Sequence, residues 1–234
     1  MQEEFESIVT GKQEEKEKPK FRISLFISLS FVVVLWLVKI FEEYTLIDLA
    51  VLGVYPRKLS GLIGIITSPL IHANFSHLIS NSIPLLVLMI FLFYAYTNSS
   101  FKVFFSVYFL SNVLVWVFAR EAYHIGASGI VYGLVTFLFF VGVFRRDTKS
   151  IGLSLLVIFM YGGLVWGILP TDPAISFEAH LSGAVVGLVA ALVWRNADPL
   201  PEKYEWEYEN DDEDDDVDME EFEKEERKIL NEDK

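Results

Sequence analysis

Three short polar segments lie in or beside otherwise apolar stretches, and their residue types could do chemistry together. They read HANFSHLISN (His72–Asn81), GASG (Gly126–Gly129) and AHLSGAVVG (Ala179–Gly187). Unpaired polar groups are costly to desolvate at bilayer depth, so histidine, asparagine and serine there are functional candidates by default. Between them, the segments supply a nucleophile, a general base and hydrogen-bond donors for an oxyanion.

Ser128 is the candidate nucleophile. Gly126 and Gly129 leave room around its hydroxyl, and it opens a predicted helix. Unpaired N–H groups and the positive end of the helix dipole would therefore face a developing oxyanion. The motif is not the G-x-S-x-G elbow of soluble hydrolases, because Ile130 takes the last glycine position. The alternative is a serine that bonds back to the i−4 carbonyl or packs against a neighbour.

His180 is the candidate base, on another predicted helix. Small residues on both helices would allow a close approach and a Ser128–His180 hydrogen bond of about 2.6–3.2 Å. Tyr132, at i+4 from the serine, could stack on the imidazole. The alternatives are a histidine satisfied inside a bundle and a tyrosine in ordinary packing. The glycines that keep the two faces smooth are Gly129, Gly133, Gly183 and Gly187.

His77 and Asn81 are an i, i+4 pair, about 40° apart around a helix. Both could donate to a tetrahedral oxyanion, where removing one donor costs about 10²–10³ in rate. A metal site is the rival interpretation, but His72 and His77 would be splayed by about 140° and no HExxH motif accompanies them. We therefore predict no metal, with His72 tying its loop to the bundle. His124 has no predicted partner.

Six long apolar runs must position these residues. A helix needs about 17–25 residues to cross the hydrocarbon core, and six such runs exclude a soluble protein. The predicted fold is all-α, a polytopic membrane protein with a six-transmembrane-helix bundle. The connection between predicted helices 1 and 2, roughly 35 residues, is amphipathic and is predicted to lie half-inserted in the membrane. The predicted helices cover residues 23–41, 77–96, 102–119, 128–145, 150–169 and 179–195.

The charge is concentrated at one end of the chain. Net charge is −13, and residues 201–234 hold 18 acidic and 5 basic residues, while residues 1–200 are balanced. We predict a cytoplasmic N-terminal tail (1–22), the six-helix domain (23–195) and an acidic, disordered cytoplasmic tail (196–234). The absence of cysteine excludes disulfides, thiolate nucleophiles and cysteine-ligated metals.

Lysine and arginine near the helix ends favour an orientation with both termini in the cytoplasm, by eight to four. In that orientation, predicted helices 2, 4 and 6 all begin at the outer face. His77, Asn81, Ser128 and His180 then lie at a similar depth although about 100 residues separate them. Such a shared depth is not expected of polar residues with unrelated roles.

These residues resemble the rhomboid family of intramembrane serine proteases. The resemblance covers about residues 23–195 and rests on three motifs in order: His-x4-His-x3-Asn (His72–Asn81), Gly-x-Ser-Gly (Gly126–Gly129) and Ala-His-x2-Gly-x3-Gly (Ala179–Gly187). One departure is the family's frequent Trp-Arg pair, for which Tyr55-Pro56-Arg57 is only a loose counterpart.

The resemblance implies a catalytic dyad of Ser128 and His180 without a third acid. It implies an oxyanion hole from His77, Asn81 and the serine backbone N–H, with Tyr132 supporting the base. His72 takes the structural role of its counterpart in the family.

The implied activity is a serine-type intramembrane endopeptidase that needs no cofactor. Its partners would be single-pass transmembrane substrates, cut near the outer face, and membrane lipid, with no nucleic acid. An inactive relative that binds transmembrane helices is the alternative. A channel would need a polar path across the whole membrane, whereas the polar residues here are predicted to lie at one depth. A prokaryotic cell membrane is expected.

Overall fold

The computed structural model describes residues 2–172 and 175–200, with side chains from residue 17 onward. Within these residues there is no β-strand, and six helices are long and apolar enough to cross a membrane, which confirms the all-α six-helix prediction. The chain divides into Met1–Pro199 and Leu200–Lys234. Most of the tail predicted to be disordered, residues 201–234, lies outside the described residues. Residues 196–200 are described, and Asp198 among them is buried. The helices are α1 (Gln2–Thr45), α2 (Phe75–Ala95), α3 (Ser100–Phe118), α4 (Ser128–Arg145), α5 (Thr148–Tyr161) and α6 (Phe177–Trp194). The fifth membrane-crossing segment is Thr148–Ile168, which includes the 3₁₀ turn that follows α5.

Two helix boundaries differ from the predicted ones. The first helix begins at Gln2 rather than at residue 23, because the Glu, Lys and Gln residues of this polar stretch are good helix formers. Predicted helix 5 runs as α-helix only to Tyr161 and then tightens to a 3₁₀-helix, Gly162–Ile168. Glycines at this point make the change of geometry inexpensive.

The connection between α1 and α2 is folded rather than extended. Arg57 secures it to the end of α3, donating from Nη1 to the carbonyl of Ala119 at 2.8 Å and from its backbone N–H to that of Trp116 at 3.0 Å. The last carbonyls of a helix have no partner within it, so this arginine satisfies groups that would otherwise be orphaned. Half-insertion in the membrane stays a prediction. The connection contains four short helical segments, Leu49–Leu52, Leu59–Ile63, Gly64–Thr67 and Ser68–Leu70.

Helix α4 is the centre of the bundle, and its largest interface is with α6. The two helices run in the same direction, because the backbone contacts advance together along both. Gly183 packs on the carbonyl of Gly129, and one turn later Gly187 packs on that of Gly133. Any side chain at the two α6 positions would overlap those carbonyl oxygens. The four glycines therefore set the separation of α4 and α6.

The opposite end of α4 is held by Arg145. Its guanidinium donates to the Asp147 carboxylate and to the carbonyls of Arg195 and Asp198, each at 2.9 Å. The Asp198 carboxylate in turn accepts from the backbone N–H of Asn98 at 2.7 Å. Burial alone would raise the pKa of Asp147, but hydrogen bonds from Ser150 and Arg145 outweigh it and hold that pKa below its ordinary value. The ends of α3, α4 and α6 are thereby joined.

Candidate active site

Ser128 is the first residue of α4 and is partly exposed. Within the described residues, the backbone N–H groups of Ser128 and Gly129 find no acceptor, as expected in a first helical turn. The serine hydroxyl likewise has no hydrogen-bond partner among the described residues. A serine hydroxyl and two unpaired backbone donors therefore lie side by side at one helix start.

The imidazole of His180 is fixed from two sides. Its Nδ1 lies 2.8 Å from the carbonyl oxygen of Gly167, and the ring of Tyr132 stacks on it with centroids 4.1 Å apart and planes 9° from parallel. A carbonyl can only accept, so Nδ1 carries the proton and Nε2 keeps its lone pair. His180 is thus held in the tautomer that a general base needs, and the group that orients it is a backbone carbonyl rather than a carboxylate.

Gly167 contributes to the site although it lies outside the three polar segments. It lies in the 3₁₀ segment after α5, and a side chain there would overlap the Tyr132 hydroxyl and lie 3.2 Å from Nδ1 of His180. Only glycine lets the backbone come this close to both rings. The signal in the sequence is the glycine-rich end of predicted helix 5, with Gly162 and Gly163 preceding it.

The predicted Ser128–His180 hydrogen bond is not formed in the structure, although their helices are in contact. A Cβ atom at Gly129 would lie 3.3 Å from the carbonyl oxygen of Ala179, so the residues next to the pair touch. The His180 ring is held by Gly167 and Tyr132, and the serine hydroxyl remains unbonded within the described part of the chain. Catalytic hydrogen bonds in ligand-free enzymes are often long and tighten when substrate binds.

His77 lies against the loop that leads to the serine. Gly126 has φ +113°, and a Cβ atom built on it would be 2.7 Å from Cε1 of His77. Both observations require glycine at this position. Asn81, one turn further along α2, is buried and donates from Nδ2 to the His77 carbonyl at 2.9 Å. An amide nitrogen carries two hydrogens, so one remains for another acceptor.

His72 joins the α1–α2 connection to the residue before Ser128. Its Nε2 accepts from the backbone N–H of Ala127 at 3.3 Å, and its ring packs edge-on against His77 with centroids 5.1 Å apart. Its Nδ1 is buried without a hydrogen-bond partner in the described residues. Burial lowers the pKa of His72 from 6.5 to about 4, so this histidine is neutral at physiological pH.

A small cavity with a mixed polar and apolar lining lies beside the start of α4. The Ser68 hydroxyl donates to Oδ1 of Asn112 at 3.0 Å along its wall. Within residues 17–172 and 175–200, no group of three or more His, Asp or Glu side chains is placed to hold a metal. The cavity is lined by Ser68, Pro69, Ser111, Asn112, Val115, His124, Ile125, Gly126, Gly129, Ile130 and Ala179.

The family model described as Rhomboid domain matches residues 60–197. Uncharacterized proteins of Mycobacterium bovis and Mycobacterium tuberculosis are each 35% identical over 184 residues, covering 75% of this chain and 77% of theirs. A putative rhomboid protein of Acanthamoeba polyphaga mimivirus is 31% identical over 141 residues, covering 56% of this chain and 72% of its own.

The domain match spans more than half of the chain and contains α2 to α6 with all three polar segments. The relatives' printed names assign no activity. Together with the six apolar helices, the match identifies an integral, multi-pass membrane protein. The chain belongs to the rhomboid family.

Proposed function

We propose that this protein is an intramembrane serine endopeptidase that hydrolyses peptide bonds in or near the transmembrane segments of other membrane proteins. The observation that carries the proposal is the fixed imidazole of His180. Its Nδ1–H is bonded to the Gly167 carbonyl and its face is stacked on Tyr132, on a helix locked against the one that begins with Ser128. This fixed tautomer leaves Nε2 without a hydrogen-bond partner among the described residues and with the lone pair that a general base needs.

The reaction follows from these positions. Nε2 of His180 takes the hydroxyl proton as Ser128 attacks the substrate carbonyl, and the Nδ1–H bond to Gly167 stabilises the imidazolium that forms. The protonated histidine then gives its proton to the leaving amine. Water enters as the second nucleophile, with His180 again as base, and releases the acyl group. Each half-reaction returns the imidazole to its starting tautomer.

The oxyanion would be stabilised at the start of α4. The N–H groups of Ser128 and Gly129 have no acceptor among the described residues. His77 lies against the preceding loop, and Asn81 has a second amide hydrogen to give. Preorganised donors of this kind each contribute about 10²–10³ to the rate.

Single-pass membrane proteins are the proposed substrates. The site begins at the N-terminal ends of three helices, not at the middle of the bundle, so a substrate segment would meet it near one membrane face. With both termini in the cytoplasm, as the distribution of lysine and arginine favours, that face is the outer one. The chain has no cysteine, so single cysteines placed at Tyr44 and at Lys149 would report opposite faces to a membrane-impermeant maleimide.

The decisive experiment is cleavage of a reporter transmembrane segment by the purified protein in detergent and in liposomes. We expect wild type to cleave, Ser128→Ala to be inactive, and the matched control Ser106→Ala, a serine of α3, to retain activity. Cleavage by Ser128→Ala at the wild-type rate would overturn the proposal. If wild type and Ser128→Ala both bind the segment without cutting it, the protein is the inactive, helix-binding relative.

A further inference from the structure

His124 is a buried histidine that the proposed reaction does not use. It is 4% exposed and lies in the connection between α3 and α4, four residues before Ser128. Its Nδ1 is 2.6 Å from the hydroxyl oxygen of Ser176, and its Nε2 is 3.0 Å from the carbonyl oxygen of Arg120. Both ring nitrogens are therefore engaged, one within its own loop and the other across to the start of α6.

The direction of these two bonds follows from the acceptor. The Arg120 carbonyl can only accept, so Nε2 carries a proton, and in the neutral ring Nδ1 then accepts from the Ser176 hydroxyl. Burial lowers the pKa of His124; the carbonyl hydrogen bond and the carboxylate of Glu178 oppose that effect, and the guanidinium of Arg120 adds to it. The neutral form, with Ser176 donating, is thus the one favoured at neutral pH.

Ser176 is the residue that begins the helix of the base. As the N-cap of α6, its hydroxyl oxygen accepts from the backbone N–H of Ala179 at 3.3 Å. Its carbonyl accepts from the N–H groups of Ala179 at 3.1 Å and of His180 at 3.3 Å. The hydroxyl that His124 holds therefore belongs to the residue to which the backbone of His180 is bonded.

The other side of the link is equally fixed. The backbone of His124 exchanges two hydrogen bonds with Val54, at 2.9 and 3.0 Å, and the N–H of Gly126 donates to the carbonyl of Ser68 at 2.9 Å. This short segment continues directly into Ser128. His124 thus joins the approach to the nucleophile to the start of the helix that carries the base.

We propose that His124 is a positioning residue, which holds the first turn of α6, and with it the His180 ring, in register with Ser128. The catalytic part of this inference rests on the proposed function. A second contact runs in parallel, because the Arg120 guanidinium donates to the Ile175 carbonyl at 2.9 Å and lies 3.7 Å from the Glu178 carboxylate. His124 differs from this pair, whose arginine is exposed, in being buried and in bonding to the N-cap residue itself.

Two substitutions separate the bonds of His124. An asparagine amide reaches about as far as Nδ1, so His124→Asn can keep the bond to Ser176. A glutamine amide reaches about as far as Nε2, so His124→Gln keeps the bond to the Arg120 carbonyl and loses the one to Ser176. His124→Ala and Ser176→Ala remove the link from either side. Asp48→Ala is the matched control, since it removes an N-cap from an exposed 3₁₀ segment elsewhere.

The test combines amide hydrogen exchange with kinetics on the full-length protein in detergent. We expect His124→Ala, His124→Gln and Ser176→Ala to speed exchange at residues 177–181 and to lower kcat about ten-fold or more, with KM for a transmembrane reporter within about two-fold. Labelling of Ser128 by a fluorophosphonate should slow in parallel. His124→Asn should recover most of the lost kcat. The double variant His124→Ala/Ser176→Ala should have a kcat no lower than that of the less active single variant, because both changes remove the same bond. Asp48→Ala should match wild type.

Unchanged exchange at residues 177–181 in His124→Ala would overturn the link. Faster exchange with wild-type kcat and labelling would overturn the positioning role. If His124→Gln and His124→Asn restored kcat equally, loss of the bond to Ser176 would not be the cause of the defect in His124→Ala. Failure of the proposed function gives a different result, because wild type itself would then neither cleave the reporter nor react with the fluorophosphonate, and exchange alone would still decide whether the link exists.

Discussion

Replacing Gly183 by alanine perturbs the separation of α4 and α6 at the level of the proposed dyad. The added methyl group would overlap the Gly129 carbonyl oxygen. The two helices would have to separate by about 1.4 Å at this point to restore ordinary van der Waals contact. Gly129 is adjacent to Ser128, and Gly183 is one helical turn from His180. We therefore expect the displacement to reach both members of the pair.

A misplacement of about 1 Å between reacting groups can cost about 10²-fold in rate. We expect Gly183→Ala to lose at least that factor in kcat while costing about 1–3 kcal/mol of stability, the usual penalty of overpacking. The assay is cleavage of a transmembrane reporter per molecule of folded protein, with the folded fraction taken from a thermal melt in detergent. The melt separates lost geometry from lost protein.

Two other glycines serve as controls. Gly187→Ala produces a similar overlap, with the Gly133 carbonyl, but one turn further from the dyad. It should lower Tm comparably and kcat less. Gly152→Ala on α5 meets nothing within 4 Å, so it should leave activity unchanged. Wild-type kcat in Gly183→Ala would refute the claim that glycine contact sets the alignment, and so would equal losses in Gly183→Ala and Gly187→Ala.

Three further predictions follow from other contacts. Tyr132→Phe should retain activity and Tyr132→Ala should lose up to about ten-fold in kcat, because an aromatic stack is worth about 0.5–1.5 kcal/mol; equal rates for both would remove the stack as the cause. His72 has a pKa of about 4 when folded and 6.5 ordinarily, so the unfolded chain binds its proton first as pH falls between those values. Stability should drop by about 3 kcal/mol over that window, and His72→Gln should flatten the Tm profile measured between pH 7.5 and 4; an unaltered slope would contradict this. Arg145→Met should cost about 3–5 kcal/mol of stability by leaving its buried partners unpaired. The remaining folded protein should cleave normally, because Arg145 lies about 25 Å along α4 from Ser128; a matching loss of kcat would be evidence against this separation.

Hydropathy and motif spacing predict the outline of this protein. Six apolar runs of this length indicate membrane helices. The small residues Gly129, Gly133, Gly183 and Gly187 predict a close contact between α4 and α6. These features are properties of side chains along single helices. They can be read without knowing how the helices meet.

Contacts made by backbone groups were decided only by the tertiary structure. The orienting acceptor for His180 is the carbonyl of Gly167. Every residue type has such a carbonyl, so the glycine-rich end of predicted helix 5 does not by itself indicate which residue orients the imidazole. Likewise, His124 acquires its role through the Arg120 carbonyl and through Ser176, more than 50 residues away. The Ser128–His180 hydrogen bond was predicted from helix proximity, but proximity fixes the backbones and leaves the serine side chain free to rotate.

The sequence by itself therefore determined the spans, the order of the polar segments and the residue types at the site. Tertiary structure decided the tautomer of His180, the proposed base, the glycine that admits its orienting carbonyl and the link through His124. The physical reason is that burial and helix length are summed over many side chains, whereas the direction of one imidazole depends on a single hydrogen bond across the bundle.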